Sequence, residues 1–210
     1  MAQPLTSPAR RRSSRLLAAT AVAALAACGG QRQAPPTPDA PPPPPNLAGA
    51  VVMLMPLQDA SAAHLGGAGE RLDAELAYWL GERGAGVRWV LPDRIREVLD
   101  RSPGLGIDIA NLDVAVFGRA QVKRVGDPLF GDLRRLGALV EARFALIPVI
   151  AGYRSAAAGE PGRLEIAATI IDTSDGRVHW FGIVAGEPGP AGERATTASA
   201  ARALALALFR

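Results

Sequence analysis

Nothing in the first 49 residues of this chain can build a hydrophobic core, so the part that folds is confined to Ala50–Arg210. Leu16 to Ala27 form a twelve-residue apolar run, preceded by Arg10, Arg11, Arg12 and Arg15 and by no acidic residue. A bilayer-spanning helix needs about 20 apolar residues, so this run is too short to span. Its layout of basic flank, apolar centre and small residues is that of a cleaved secretory segment. Residues 29–48 then hold eight prolines, Pro41 to Pro45 in one block, and almost no large apolar side chain. Such a stretch cannot bury enough surface to offset its ordering entropy and reads as a polyproline II or disordered tether. At about 3.1 Å per residue it reaches up to about 55 Å.

Between the two lies Cys28, the single cysteine of 210 residues. The sequence Leu25-Ala26-Ala27-Cys28-Gly29 resembles the lipobox of bacterial lipoproteins. That resemblance implies a thiol that receives a diacylglycerol, followed by cleavage that makes Cys28 the first residue of a membrane-anchored chain. Two or more acyl chains hold a protein stably on a bilayer where one does so only marginally. Gly29 stands where an Asp would resemble an inner-membrane retention signal, which favours the outer membrane with the domain facing the periplasm. Arg11-Arg12 leaves both the general secretory and the twin-arginine routes open. The expected organisation is a signal peptide over 1–27, a lipidated cysteine and linker over 28–49, and one domain over 50–210.

Cleavage also changes the charge argument. The whole chain has 23 basic and 20 acidic residues; removing the four arginines before Cys28 leaves 19 against 20. The basic isoelectric point belongs to the export segment, and nucleic-acid binding has no support.

The remaining 160 or so residues suffice for one domain with a real core. Val51 to Leu57 is a continuous apolar run, as in a strand covered on both faces. A helix is expected from about Glu70 to Arg83, with Leu72, Leu76, Trp79 and Leu80 on one face and Gly84 at its end. Val87 to Leu91 reads as a strand, and Pro92-Asp93 opens a helix that turns Ile95, Val98 and Leu99 inward. Ser102 to Gly126 is ambiguous, with Leu112 to Phe117 either a strand or a short buried helix. Asp127-Pro128 reads as an N-cap and first turn for a helix buried through Leu129, Leu133, Leu136 and Val140. Phe144 to Tyr153 is a strand in which Pro148 implies an edge position or a bulge. Leu164–Asp172 and Arg177–Val184 form a hairpin around Thr173 to Gly176, and Glu193–Arg210 closes as an alanine-rich helix. The order implies an α/β domain with a mixed sheet of about five strands, about four helices and antiparallel C-terminal strands.

The pattern resembles the domain shared by the TolB amino-terminal, CsgG and LpoB lipoproteins. The residues that carry the resemblance are Val51 to Leu57, Val90-Leu91-Pro92-Asp93-Arg94, the helix running into Ala142-Arg143-Phe144-Ala145-Leu146, and the hairpin from Ile171-Asp172-Thr173 to Gly176-Arg177-Val178-His179-Trp180. It implies an accessory or activator domain that binds another envelope protein. The long amphipathic insertions of a CsgG-like pore are not present.

Chemistry has few candidates. His64 lies in a loop and His179 alternates on a strand toward solvent; no His-Glu-x-x-His, Cys-x-x-Cys or Asp-rich calcium loop occurs. Ser61 with His64 lacks an orienting acid. Gly66-Gly67-Ala68-Gly69 between strand and helix lacks the third glycine and the lysine of phosphate-binding turns, and Glu70 would repel an anion. Asp73 with Glu75, and Asp172 with Asp175, read as surface or turn residues. Trp79 and Trp89 read as core. Trp180, on a half-exposed strand, is a candidate partner contact.

Neither a cofactor nor a metal is expected. The leading expectation is a non-enzymatic domain, anchored through Cys28, that binds a periplasmic protein. The alternatives are a small-ligand binder or enzyme with its site near Gly66 to Gly69, and a structural subunit of an outer-membrane secretion assembly. Oligomeric state is left open. A concave pocket lined by ionisable groups would favour the enzyme; an exposed apolar patch or open sheet edge would favour binding.

Overall fold

Alternating apolar runs and amphipathic helices give a five-stranded mixed sheet in the order β2-β1-β3-β4-β5, with helices on both faces. The computed structural model describes residues 43–58, 68–118, 122–156 and 161–209. The strands are β1 (Val51–Leu54), β2 (Arg88–Val90), β3 (Phe144–Arg154), β4 (Arg163–Asp172) and β5 (Val178–Ala185). The helices are α1 (Ala68–Arg83), α2 (Pro92–Asp100), α3 (Leu129–Val140) and α4 (Arg194–Leu208). β1 runs parallel to β2 and β3, and β3, β4 and β5 are antiparallel, as the hairpin signal at Thr173 to Gly176 predicts. Gly176 closes that turn at φ 72, a conformation glycine adopts without a Cβ penalty.

Period-2 alternation divides the core into two layers. Val52, Leu54, Phe144, Leu146, Ile166 and Ile170 face α1 and α4, whose Leu72, Leu76, Leu80, Ala201 and Leu204 are fully buried against them. Met53, Ala145, Ile147 and Ile171 face the other way, onto Ile95 of α2 and Leu129, Leu133 and Leu136 of α3. Because β1 and β3 are apolar on both faces, they sit at the centre of the sheet. Trp79 and Trp89 are partly buried beside the first layer. Among the described residues no helix is long and apolar enough to cross a membrane.

Several expectations shift. Leu47 is buried and the Gly49 amide donates to Gly86 O at 2.7 Å, so chain that reads as tether already packs on the domain before Ala50. Helix α1 begins at Ala68, two residues into the glycine-rich stretch. Helix α3 begins at Leu129 with Pro128 preceding it, while Asp127 Oδ1 still accepts from the Gly131 amide at 3.0 Å. Leu112 to Phe117 is not a strand: it ends in a single 3-10 turn, Ala115–Gly118, with Phe117 buried.

Pro148 lies in the central strand β3 rather than at an edge, and the β3–β4 register shifts between Pro148 and Ile150. Leu146 O and Pro148 O accept on the β1 side, from Met55 and Gln58. The missing proline donor therefore faces the β1 side just past Leu54, where the parallel pairing of β1 with β3 ends. The signal segment, Cys28, the greater part of the tether, Ser61, His64 and Gly66-Gly67 lie outside the described residues.

Candidate interaction surface

β5 is the outer strand of the sheet, and among the described residues one of its sides is open beyond its first residue. The Gly186 amide donates to Leu164 O at 2.9 Å, so by antiparallel alternation Val184, Gly182 and Trp180 turn their backbone groups toward β4. Phe181, Ile183 and Ala185 then present N–H and C=O outward. At its start the edge is covered: Val178 N donates to Lys123 O at 3.0 Å, and Arg124 bridges Arg177. From His179 to Ala185 no backbone group outside β4 bonds to it among the described residues.

The face beside this edge is also uncovered. Register places Ile150 of β3 against Ala167 of β4, and Ala167 against Ile183 of β5, so the three share one row on one face. Among the described residues, the layer formed by α2, α3, residues 107–118 and residues 122–125 stops short of that row. Its last contact is Phe117, whose ring stacks on Phe181 at 5.8 Å between centroids. Beyond it Ile150 is 47% and Ile183 63% exposed. Glu165 and Arg154, paired at 2.7 Å, stand on the same face in the next rows along β4 and β3 and form a polar rim.

A polar cluster occupies the opposite end of β4 and β5. Asp172, expected as a surface or turn residue, does serve the turn but is buried, at 5% exposure. Its Oδ1 accepts from the Ser174 amide at 2.9 Å and from the Ser174 hydroxyl at 2.5 Å, and its Oδ2 accepts from Arg143 Nε at 3.4 Å. Burial alone would raise its pKa; the Ser174 hydroxyl, the Ser174 amide and Arg143 outweigh it and hold the carboxyl below its usual range. His179 lies 3.9 Å from the same oxygen and meets the Phe144 ring edge-on at 5.4 Å, so it is half-buried rather than solvent-facing. Asp175 stays at the turn, accepting from the Arg177 amide at 2.8 Å.

The C-terminal end of β1 is the point where the chain leaves to opposite faces, and α/β sheets commonly bind ligands in such a crevice. Gln58, the last described residue after β1, ties this end to the opposite layer. Its Nε2 donates to Pro56 O at 2.6 Å and Ile109 O at 2.9 Å, and its Oε1 accepts from the Leu112 amide at 2.8 Å. Asp73 of α1 accepts from the Leu57 amide at 2.9 Å. Burial raises the Asp73 pKa, against the Leu57 bond and Arg96. Glu75, expected at the surface, holds Arg194 of α4 at 3.0 Å with its own side chain 12% exposed. An open groove of about 590 Å³ beside α3 is lined by Asp127, Phe130, Asp132, Arg134 and Arg135. Within it Asp127 caps the helix and Asp132 pairs with Arg135 at 2.6 Å, so these carboxylates serve the helix itself. Among the described residues no group of three or more His, Cys, Asp or Glu could hold a metal ion.

Trp180 is corrected by the structure. It is 3% exposed and faces α1 and α4, and its indole lies so close over Gly182 that a Cβ there would overlap the ring. Strand alternation turns it inward and turns Phe181 and Ile183, its neighbours in sequence, to the other face. The surface pair Ile150 and Ile183 escapes sequence reasoning because each looks like any other residue of an apolar strand. Only the ladder register brings them together.

No protein-family model matches this chain, and no curated protein matches it. Among solved structures, the PelC dodecamer from Paraburkholderia phytofirmans is similar in two crystal forms. Each shares 16% identity and covers 81% of this chain; the coverage of the PelC chain is 98% in one form and 96% in the other, at TM-scores of 0.42 and 0.43. Lipoprotein GNA1162 from Neisseria meningitidis shares 14% identity, with 69% of this chain and 84% of that chain covered, at a TM-score of 0.42. At this level of similarity no property of those proteins passes to this chain.

Proposed function

We propose that this chain is a non-enzymatic, lipid-anchored domain of the bacterial envelope that binds another envelope protein through the uncovered face of its sheet. The observation that carries the binding part is the exposed row Ile150–Ala167–Ile183, an apolar surface left bare beside a polar rim. Large exposed aliphatic side chains clustered in this way mark interaction sites. The partner fitting this row is a protein segment with an apolar stripe of its own.

The anchor rests on Leu25-Ala26-Ala27-Cys28 and on the tether that follows. The resemblance to TolB amino-terminal, CsgG and LpoB domains, together with the five-stranded mixed sheet, supports an accessory role at the outer membrane facing the periplasm. Two experiments on the full chain test the two parts. Cys28→Ser should move the protein from the membrane to the soluble fraction; continued membrane fractionation would remove the lipid anchor. A photoreactive residue at Ile150 should crosslink to one reproducible envelope protein, and the same residue at Tyr78 on α1 should not. Equal labelling from both positions would remove the face as the binding site.

A further inference from the structure

We propose that the end of the domain where the linker enters rests on the membrane surface, with its arginines on the phosphates of anionic lipid headgroups. The proposal rests on the lipid anchor at Cys28 and concerns what the folded domain adds to it. Register defines that end. Val51 begins β1 and pairs with Arg88 of β2, Arg143 N donates to Val51 O, and Phe144 of β3 pairs with Asp172 just before the turn at residues 173–176. Arg177 follows the turn, bridged by Arg124, and Lys123 O accepts from Val178 N. Pro45 and Leu47 pack at the same end, beside Arg83 in the last turn of α1 and Leu208 of α4.

Charge divides between this end and the rest of the domain. Among the described residues the end carries six basic side chains, Arg83, Arg88, Lys123, Arg124, Arg143 and Arg177. Four acidic ones, Glu82, Glu141, Asp172 and Asp175, stand with them. Elsewhere the balance reverses, with ten basic and thirteen acidic residues described. The basic excess is also outermost. The side chains of Arg124, Arg143 and Arg177 are 60%, 69% and 60% exposed, whereas Asp172, beneath Arg143, is 7% exposed. Asp175 lies 3.9 Å from Arg124 and 3.8 Å from Arg177, so one carboxylate serves two guanidinium groups. Guanidinium matches phosphate through paired N–H donors and is weakly hydrated, so it gives up water readily at a headgroup.

The chain outside the described residues selects the bilayer as the occupant. Residues 29–42 separate Cys28 from Pro43, so a lipid on Cys28 keeps this end within about 50 Å of the bilayer even at full extension. A small basic excess is too weak to hold a free protein on a membrane. Within that reach it meets headgroups at high effective concentration. The same surface repels the acidic remainder of the domain, which turns the basic end toward the lipid. The row Ile150–Ala167–Ile183 then stands about 20 Å up the strands from Phe144, clear of the bilayer and open to its protein partner.

The test uses the full lipidated chain on vesicles of phosphatidylcholine, with or without about 30% phosphatidylglycerol. A donor dye is placed at Ala85→Cys, exposed in the loop between α1 and β2, or at Glu187→Cys, exposed past β5 at the opposite end. The Cys28 thiol of that chain carries the lipid and does not react. Energy transfer from Ala85→Cys to a dye on the lipid headgroups should be about twofold or more higher on the anionic vesicles. The rise should vanish at about 0.5 M salt, and Glu187→Cys should not show it. Adding Arg88→Gln and Arg177→Gln should abolish the rise. Should that variant not accumulate, Arg88→Gln with Lys123→Gln is the substitute, with the same loss expected. Transfer from Ala85→Cys that ignores vesicle composition, an equal rise at both positions, or a rise unchanged by the substitutions would overturn the proposal. Co-flotation with phosphatidylcholine vesicles reads the anchor separately. Loss of flotation removes the anchor and this proposal with it, whereas flotation without the rise removes the docking alone.

Discussion

Ile150 and Ile183 stand on the same face of the sheet, two strands apart with Ala167 between them, and both are exposed. An exposed isoleucine contributes little to the core, so its replacement tests binding without testing the fold. Ile150→Glu should leave unfolding free energy within about 0.5 kcal/mol of the unaltered chain. Leu146→Ala, in the same strand but fully buried, should cost about 2–5 kcal/mol. Urea denaturation of the two variants checks the contrast. A large loss from Ile150→Glu would mean that the side chain is packed and the face is not free.

Asp172 links the hairpin turn to β3, and its charge makes that link depend on pH. Its folded pKa is depressed, so the stabilisation is complete above the unfolded value near 3.8 and is lost as pH falls through the lower folded value. Ser174→Ala removes the hydroxyl that donates to Oδ1. We expect a loss of about 1 kcal/mol at neutral pH, shrinking as the pH falls through the depressed folded value. Denaturation midpoints across that range test it. A difference that stays constant with pH would show that Ser174 acts by packing alone.

Asp73 carries the opposite sign. Burial raises its folded pKa, so the folded chain holds its proton to higher pH than the unfolded chain. Stability associated with Asp73 is therefore present below the unfolded value and is lost as pH rises through the raised folded value. Asp73→Asn keeps an oxygen to accept from the Leu57 amide and removes the buried charge. The variant should be at least as stable as the unaltered chain at neutral pH and should lose that advantage below about pH 4. Thermal unfolding at the two pH values measures it. A variant less stable at neutral pH would mean that the Arg96 attraction outweighs burial.

The architecture was readable where one physical signal dominates. The apolar run Val51 to Leu57, the Pro92 helix start, the stripe Leu129, Leu133, Leu136 and Val140 and the Thr173 to Gly176 turn each carry a clear local signal and each appears in the structure, although β1 ends at Leu54 and Val140 is only partly buried. Pro148 announced a bulge, but its place in the central strand depends on where β1 ends, which is a property of the pairing. Trp180 was misplaced because β5 is apolar on both sides, so alternation alone does not say which side a helix covers.

The polar residues were the least legible. Asp172, Asp73 and Glu75 look like ordinary surface acids in the sequence. Each is held by a partner, Ser174, Leu57 and Arg194 respectively, that only the folded backbone brings within reach. Gln58 gave no signal at all, since its three side-chain bonds reach Pro56 and, across more than fifty residues, Ile109 and Leu112. The exposed isoleucine row likewise exists only once the three strands are in register.

Affinity recovery after crosslinking measures whether the face that carries Ile150 and Ile183 holds another envelope protein. The full chain and its Ile150→Glu variant, expressed at equal levels in the envelope, should differ in one respect. The unaltered chain recovers a reproducible partner, and the variant recovers about tenfold less of it or none. Equal recovery by both chains, or no reproducible partner from the unaltered chain, would contradict the account.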